Sequence, residues 1–377
     1  MSVTIVKVTT KSELKKFIRF NYELYKNNEY AVYELYEDML NTLRRDRNAA
    51  FEFCEADYFL AYRDGKIVGR VAAIINNRAN EKWNVKAVRF GWIDFIDDKE
   101  VSKALLDTVE QWGKERGMTE IQGPLGFTDF DPEGMLIEGF DRLGTMATIY
   151  NYPYYPEHIV SLGYEKDVDW VEFLFTPPAE NWEKAERLSA LVARRYKLHV
   201  VRAKSLKELA ARYGKQVFEI VNEAYSPLYG FSPLSDAQIE QFIKMYFPLV
   251  NMQLVSFIAD DNDNLVGLGI SLASYAQALR KSKGRLFPFG WVHFLKPLLD
   301  RKPKHLDFLL MAIKPEYQNK GVNAMIINDL LPRYLEMGII DVESNPELEM
   351  NDKIQAQWDA FDKVQHKRRR AYKKEIK

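Results

Sequence analysis

Gln318-Asn319-Lys320-Gly321-Val322-Asn323-Ala324 is the stretch whose residue types and spacing best suit chemistry. It follows a short apolar run, Phe308 to Ile313, which Lys314-Pro315 stops because proline lacks the amide a continuing ladder needs. Past Gly321, apolar residues return at helical spacing: Met325, Leu330 and Leu331 near one face, Ile326, Ile327 and Leu335 widening it. The pattern predicts strand, tight loop and helix. Backbone amides in such a loop and in the first helical turn have no intrahelical partner, so they can hold an anion such as a pyrophosphate. The alternatives are a plain crossover whose glycine only permits the turn, and a site for another phosphate-bearing ligand.

Other residues have the types for substrate binding. Gly123 to Asp141 is a glycine- and proline-rich loop carrying Asp129, Asp131, Glu133 and Glu138, acids that suit a cationic substrate. Its spacing matches no calcium loop and no histidine lies close, so no metal is expected. The competing reading is a surface excursion that folds its aromatics over the core. Tyr152, Tyr154 and Tyr155 form a second candidate wall, with His158 after them more in keeping with a structural role. Glu343, at the end of an apolar run from Ile339, is either a base or amine anchor, or a carboxylate facing solvent. The single cysteine, Cys54, excludes an internal disulfide and a cysteine-based metal cluster, and reads as a small packed hydrophobe.

The loop at 318–324 resembles the signature of the acetyl-CoA-dependent N-acetyltransferase (GNAT) superfamily, Gln/Arg-x-x-Gly-x-Gly/Ala. Gln318 and Gly321 match it, while Asn323 stands where glycine or alanine is usual, with Ala324 behind it. The resemblance implies that Gln318, Asn319, Lys320, Gly321, Val322, Asn323 and Ala324 cradle the pyrophosphate of acetyl-CoA or another acyl-CoA. It implies too that the backbone of Leu310, Met311, Ala312 and Ile313 binds the pantetheine and thioester. The family's proton-donating tyrosine comes seven residues after an asparagine; here Asn351 leads to Trp358, and indole donates no useful proton. Tyr225, Tyr229, Tyr317 or water are the substitutes, Tyr225 and Tyr229 lying on a connection that covers the acceptor in the resembled fold. The resemblance thus implies a CoA-dependent N-acyltransferase, with N-acetyl transfer first in line, acting on a small-molecule or peptide amine. A catalytically silent CoA-binding or scaffold protein is one alternative, and a tRNA-dependent aminoacyl-transferase is another. The likeness spans nearly the whole chain as fold but is specific only around residues 307–324.

The elements that must position these residues repeat. Arg63-Asp64-Gly65-Lys66-Ile67-Val68-Gly69-Arg70-Val71 has a counterpart in Asp261-Asn262-Asp263-Asn264-Leu265-Val266-Gly267-Leu268-Gly269, each between apolar strands. Helix 104–116 corresponds to helix 324–336, and Glu115-Arg116-Gly117-Met118 to Glu336-Met337-Gly338-Ile339. The expected fold class is α/β, an α+β mixed sheet, as two tandem GNAT-like domains. Residues 1–176 form a degenerate copy, with Asp97-Asp98 where the phosphate loop would be, and residues 177–377 form the CoA-binding copy, opening with a basic linker helix at 181–197. Further expectations are a capping box at Thr10 and Glu13, a helix over 30–45, a strand and core edge over 286–295, and a last strand in the basic tail 366–374.

Composition bounds the partners. The chain has 377 residues, 44.1 kDa and a formal net charge of -1, so no global field favours nucleic acid, and the tRNA reading lacks a positive groove. No signal peptide or membrane-length apolar run is evident. The expectation is a cytoplasmic protein with no nucleic-acid and no membrane partner.

Overall fold

The computed structural model describes residues 2–178, 183–355, 358 and 361–377. In chain order the first half runs β1 (Thr4–Lys7), α1 (Lys11–Leu24), α2 (Tyr36–Thr42), β2 (Cys54–Arg63), β3 (Lys66–Asn76) and α3 (Asn77–Trp83). It continues with β4 (Ala87–Phe95), α4 (Lys99–Lys114), β5 (Glu120–Gly123), β6 (Met135–Glu138), α5 (Tyr154–Ser161) and β7 (Glu165–Thr176). The second half runs α6 (Glu183–Tyr196), β8 (Leu198–Val200), α7 (Leu206–Ala224), α8 (Asp236–Tyr246), β9 (Val255–Asp260), β10 (Leu265–Ala273) and α9 (Ala276–Ser282). It ends with α10 (Val292–Leu299), β11 (His305–Ile313), α11 (Val322–Met337), β12 (Asp341–Ser344), β13 (Glu347–Leu348), α12 (Asp352–Gln355) and β14 (Asp362–Glu375). The expected linker helix is α6; residues 181 and 182 lie outside the described residues.

The chain divides into two compact units, one of residues 1–171, 275–294 and 366–377, the other of 172–274 and 295–365. Both have the mixed sheet that the repeat predicts. In the first, β1, β2, β3 and β4 pair antiparallel in sequence order, and β4 pairs parallel with β5. β14 then lies antiparallel to β5, with Tyr372 opposite Gly123. In the second unit, β8, β9, β10 and β11 pair antiparallel in order, β11 pairs parallel with β12, and β12 meets the end of β7, with Val342 opposite Phe175.

The shared Val-Gly dipeptide has a packing cause. A Cβ on Gly69 would stand 2.8 Å from Leu105 and 3.0 Å from Val101, both on α4. One on Gly267 would stand 3.1 Å from Val322 in the first turn of α11. In each copy glycine lets the main helix lie directly on the hairpin. Leu105 is fully buried there, which contributes roughly 2 kcal/mol. The first hairpin turns on Asp64 (φ 51°) and Gly65 (φ 73°), as its sequence predicts. The capping box at α1 is present, with Glu13 N–H donating to Thr10 Oγ1 (3.2 Å) and Thr10 N–H to Glu13 Oε2 (2.9 Å).

Two expectations are corrected. The helix expected over 30–45 is only α2, because Asn28 Oδ1 accepts from the amides of Tyr30 and Ala31 and holds that segment in a turn. Residues 286–295, expected as a strand at the core edge, make a tight turn followed by α10. Trp291 N–H donates to Leu286 O (2.9 Å), which closes the backbone on itself rather than along a sheet edge.

Candidate active site

The second unit's β11 is irregular where chemistry was expected. Against β10, Ile270 pairs with Leu310 and Ser271 with Phe308, so Leu309 is an extra, bulged residue. Against β12, pairing covers only His305 to Phe308. The strands part there: Asn345 N–H donates to Phe308 O (3.0 Å), and among the described residues the β12-side edge of Leu309 to Ile313 has no strand partner. A splayed parallel pair of this kind presents backbone N–H and C=O groups to an extended ligand. Leu310, Met311, Ala312 and Ile313 therefore lie together on that edge, with Tyr225 donating its hydroxyl proton to Met311 O (3.2 Å).

The loop beyond the strand has an anion-binding form. Pro315 to Tyr317 make one 3-10 turn, and Asn319 (φ 59°) and Gly321 (φ 83°) are left-handed on either side of Lys320. Gly321 is the N-cap of α11, where no side chain caps the helix and the first turn holds no acid. Its first amides are thus left to a ligand. Asn323 lies in the first helical turn and is not among the left-handed residues, so the departure from the signature demands no glycine there. Lys320 is exposed, its Nζ over the rings of Tyr196 (5.2 Å) and Tyr317 (5.3 Å). Gln318 reaches back, Nε2 donating to Ile313 O (3.2 Å). The loop follows the strand directly in the second unit, with Gln318, Asn319 and Lys320 exposed and Met311, Ala312 and Val322 buried.

A titratable group that no sequence signal singled out, Glu347, lies near the strand through Tyr225. Its Oε1 accepts from Trp358 Nε1 (2.7 Å), while its Oε2 is closed off from solvent with no hydrogen-bond partner among the described residues. Burial pushes its carboxyl up to about 7, against the smaller lowering effects of the Trp358 hydrogen bond and of Lys363. Trp358 is fixed by stacking on Phe175 (4.6 Å between centroids) and by an edge contact with Phe308 (5.2 Å). Tyr225 lies within the field of Glu347, and burial first and that carboxylate second hold its hydroxyl pKa well above the usual range. Glu343 sits on β12 opposite Leu174 and beside Asp307, a half-buried strand residue. Tyr229 is half-buried between α7 and α8.

The remaining candidates belong to the first unit. Asp129, Asp131 and Glu133 form one group turned inward. Burial pushes Asp131 up to about 6 despite hydrogen bonds from Thr128 and Phe127, and burial with Asp129 beside it holds Glu133 well above the carboxylate range. Tyr154 is elsewhere, its hydroxyl donating to Phe95 O (2.6 Å). β4 and β5 also part after Arg89, with a bulge at Trp92–Ile93, but here the chain fills its own gap. Tyr155 stacks on Phe95 (4.1 Å) and accepts its N–H (3.0 Å). Arg70 pairs with Asp94 (2.7 Å), and Asp94 also lies 3.0 Å from Tyr25 Oη. The cavity left among them, about 30 Å³, has room for a water or two and not for pantetheine. Where the second unit has its loop, Asp98 caps α4 by accepting Glu100 N–H (2.9 Å) and pairs with Arg63.

Two nucleophile candidates fail on burial. Ser102 Oγ, His158 Nδ1, His158 Nε2 and Asp97 Oδ1 form a chain of 3.0 Å contacts, but Ser102 is fully buried and the array only fastens α5 to α4. Burial pushes the Cys54 thiol up to about 12, so it carries no thiolate near neutrality. The tail arginines lie in β14, where Arg370 Nε meets Asp169 (2.7 Å) and Arg368 meets the same carboxylate (3.3 Å), within the first unit. Among the described residues no group of three or more His, Cys, Asp or Glu is arranged for a metal. No described helix is long and apolar enough to cross a membrane.

The repeated sheets, each with a bulged and splayed central pair, are those of the GNAT fold. The chain superposes over its whole length on a tandem GNAT protein from the clavulanic acid biosynthesis pathway, with TM-score 0.57, 10% identity and 99% of that chain covered. It also matches a GCN5-related glucosamine N-acetyltransferase region of a fungal multi-domain β-N-acetylglucosaminidase, with TM-score 0.54 and 11% identity, over 99% of this chain and 38% of that one. At such identities the likeness is one of fold. No protein-family model matches the chain. In sequence it is 28% identical to the bacterial ceramide synthase of Caulobacter vibrioides (strain NA1000 / CB15N) over 329 residues, 86% of this chain and 84% of that protein. It is 27% identical to protein YghO of Escherichia coli (strain K12) over 375 residues, 97% of this chain and 94% of that one.

Proposed function

We propose that the chain is an acyl-CoA-dependent N-acyltransferase whose second unit binds the donor and transfers its acyl group to a long-chain lipid amine. The observation that carries the reading is Glu347, a carboxyl pushed up to about 7 by burial, with one oxygen unpartnered among the described residues, in the field of the Tyr225 that holds the splayed strand. The donor supplies an activated thioester acyl group. Lys320 and the amides of Gly321, Val322 and Asn323 face its pyrophosphate, and the open edge of Leu310 to Ile313 pairs with its pantetheine arm.

An amine arrives protonated at neutral pH and is not a nucleophile in that state. Ionised Glu347 takes that proton through Oε2, the freed nitrogen forms the C–N bond as the C–S bond breaks, and the second proton lost by that nitrogen goes to the departing CoA thiolate, which leaves as the thiol. Trp358 donates no proton; it orients the carboxyl through its Nε1–H. Tyr225 positions β11 through Met311 O, and its high pKa keeps it a hydrogen-bond donor. With its gap filled by its own tyrosines and Asp98 in place of the loop, the first unit binds no acyl-CoA in this reading.

The acceptor class rests on kinship. A ceramide is the amide of a fatty acid with a long-chain amino alcohol, so the name of the Caulobacter relative supports an amine acceptor and a long acyl chain. The test is incubation with a long-chain acyl-CoA and a long-chain 2-amino alcohol, reading amide by mass spectrometry and free CoA thiol by colour. Equal molar amide and thiol is the expected result. Thiol release without amide, or preference for a water-soluble amine with acetyl-CoA, overturns the acceptor assignment.

A further inference from the structure

Phe287, Phe289, Trp291 and Val292 stand on the surface of the first unit, 71, 76, 46 and 48% exposed. Aromatic rings so open to water, grouped on one short segment, are a rare and informative feature. The segment that holds them is firmly built. α9 buries Ala276, Ala278 and Leu279, Tyr36 N–H donates to Gly284 O (2.7 Å), and a Cβ on Gly290 would come within 1.7 Å of Arg285 O. The backbone is thus folded tightly beneath the rings, which project outward.

Charge identifies the partner. Residues 276–294, all in the first unit, contain Arg280, Lys281, Lys283 and Arg285 and no Asp or Glu. Lys281, Lys283 and Arg285 are exposed, and none of the four forms an ion pair among the described residues. A chain of net charge -1 thus carries charge of one sign along the segment that holds its exposed rings. A second copy of the same face would bring four cations against four, so self-association is disfavoured. Aromatic rings ringed by lysine and arginine suit a surface that is apolar below and anionic above.

We propose that this face docks the protein onto an anionic lipid bilayer. Phe287, Phe289 and Trp291 enter the boundary between headgroups and acyl chains, and the flanking cations meet the lipid phosphates. The docking is peripheral, and it revises the sequence expectation that no membrane is a partner. It stands on the surface alone and does not depend on the acyl-transfer reading.

Flotation of the full-length protein on vesicles tests it. Phosphatidylcholine vesicles with about a third phosphatidylglycerol should carry the protein upward, and pure phosphatidylcholine far less. The Phe287→Ser/Phe289→Ser variant should lose about tenfold or more of this binding at any salt concentration. The Lys281→Gln/Lys283→Gln/Arg285→Gln variant should lose the salt-sensitive part. As a second readout, vesicles of brominated lipid should quench the wild type more than Trp291→Phe. No flotation on the anionic vesicles, equal flotation by the phenylalanine variant, or equal quenching of both proteins overturns the proposal. So does light scattering that finds a wild-type dimer which the same serine substitutions make monomeric, since a second copy then covers the face.

Discussion

Replacing Glu347 by glutamine separates the catalytic account from a structural one, because the two effects have opposite signs. Glu347 has an ordinary pKa near 4.5, raised to about 7 by burial. The folded chain therefore keeps a proton that the unfolded chain releases between about pH 4.5 and pH 7. Stability that is fully present below about pH 4.5 is lost as pH rises through that window. At 1.36 kcal/mol per unit the loss is about 3 kcal/mol by pH 8. Glutamine keeps the acceptor for Trp358 Nε1 and carries no charge, so Glu347→Gln removes this loss. Its buried amide, facing the place where Oε2 had no partner, costs about 1 kcal/mol in return. The variant should thus be more stable than wild type at pH 8 by about 2 kcal/mol and no more stable at pH 4. Transfer should move the other way. Loss of a general base lowers kcat/KM by about 10²–10⁴, and the wild-type rise of kcat/KM with an apparent pKa near 7 should disappear. Thermal unfolding at the two pH values, together with the pH profile of amide formation, reads both. A variant with wild-type rates and an unchanged profile would refute Glu347 as the base, whatever its stability.

Trp358→Phe keeps the packing on Phe175 and Phe308 and removes the hydrogen bond that lowers Glu347. It should shift the rise of the pH–rate profile to higher pH and cost about 1 kcal/mol of stability, both readable on one purified variant. Lys320→Glu, at an exposed site within the loop, should raise KM for acyl-CoA about tenfold or more with a smaller change in kcat. Asp98→Ala removes the α4 cap and the Arg63 pair, so it should destabilise the first unit by about 1 kcal/mol in denaturant titration while leaving acyl-CoA titration unchanged.

The fold was legible because its signals are local. Asp64-Gly65 sets a hairpin turn, Thr10 and Glu13 open a helix, and the repeated Val-Gly marks the strand on which each main helix lies. The β11 bulge was not legible, because an extra residue at Leu309 is a matter of register between strands and leaves no mark on the apolar run itself. Glu347 was missed for a related reason. Its character comes from burial and from Trp358, brought to it by the turn after β13, while its sequence neighbours Asn345, Pro346 and Leu348 show only a loop. The sequence departure at Trp358 was visible as a missing acid, and the structure gives it a different task. Residues 286–295 misled in the opposite direction: apolar residues read as buried, and only the tertiary structure shows that nothing in the described chain covers them.

The most direct measurement of the central claim is calorimetric titration of the whole protein with a long-chain acyl-CoA, repeated with Lys320→Glu and with a matched charge reversal in the first unit, Lys99→Glu. The account predicts one saturable site, weakened by Lys320→Glu and untouched by Lys99→Glu. Absence of saturable binding, or a site that responds to Lys99→Glu instead, contradicts it.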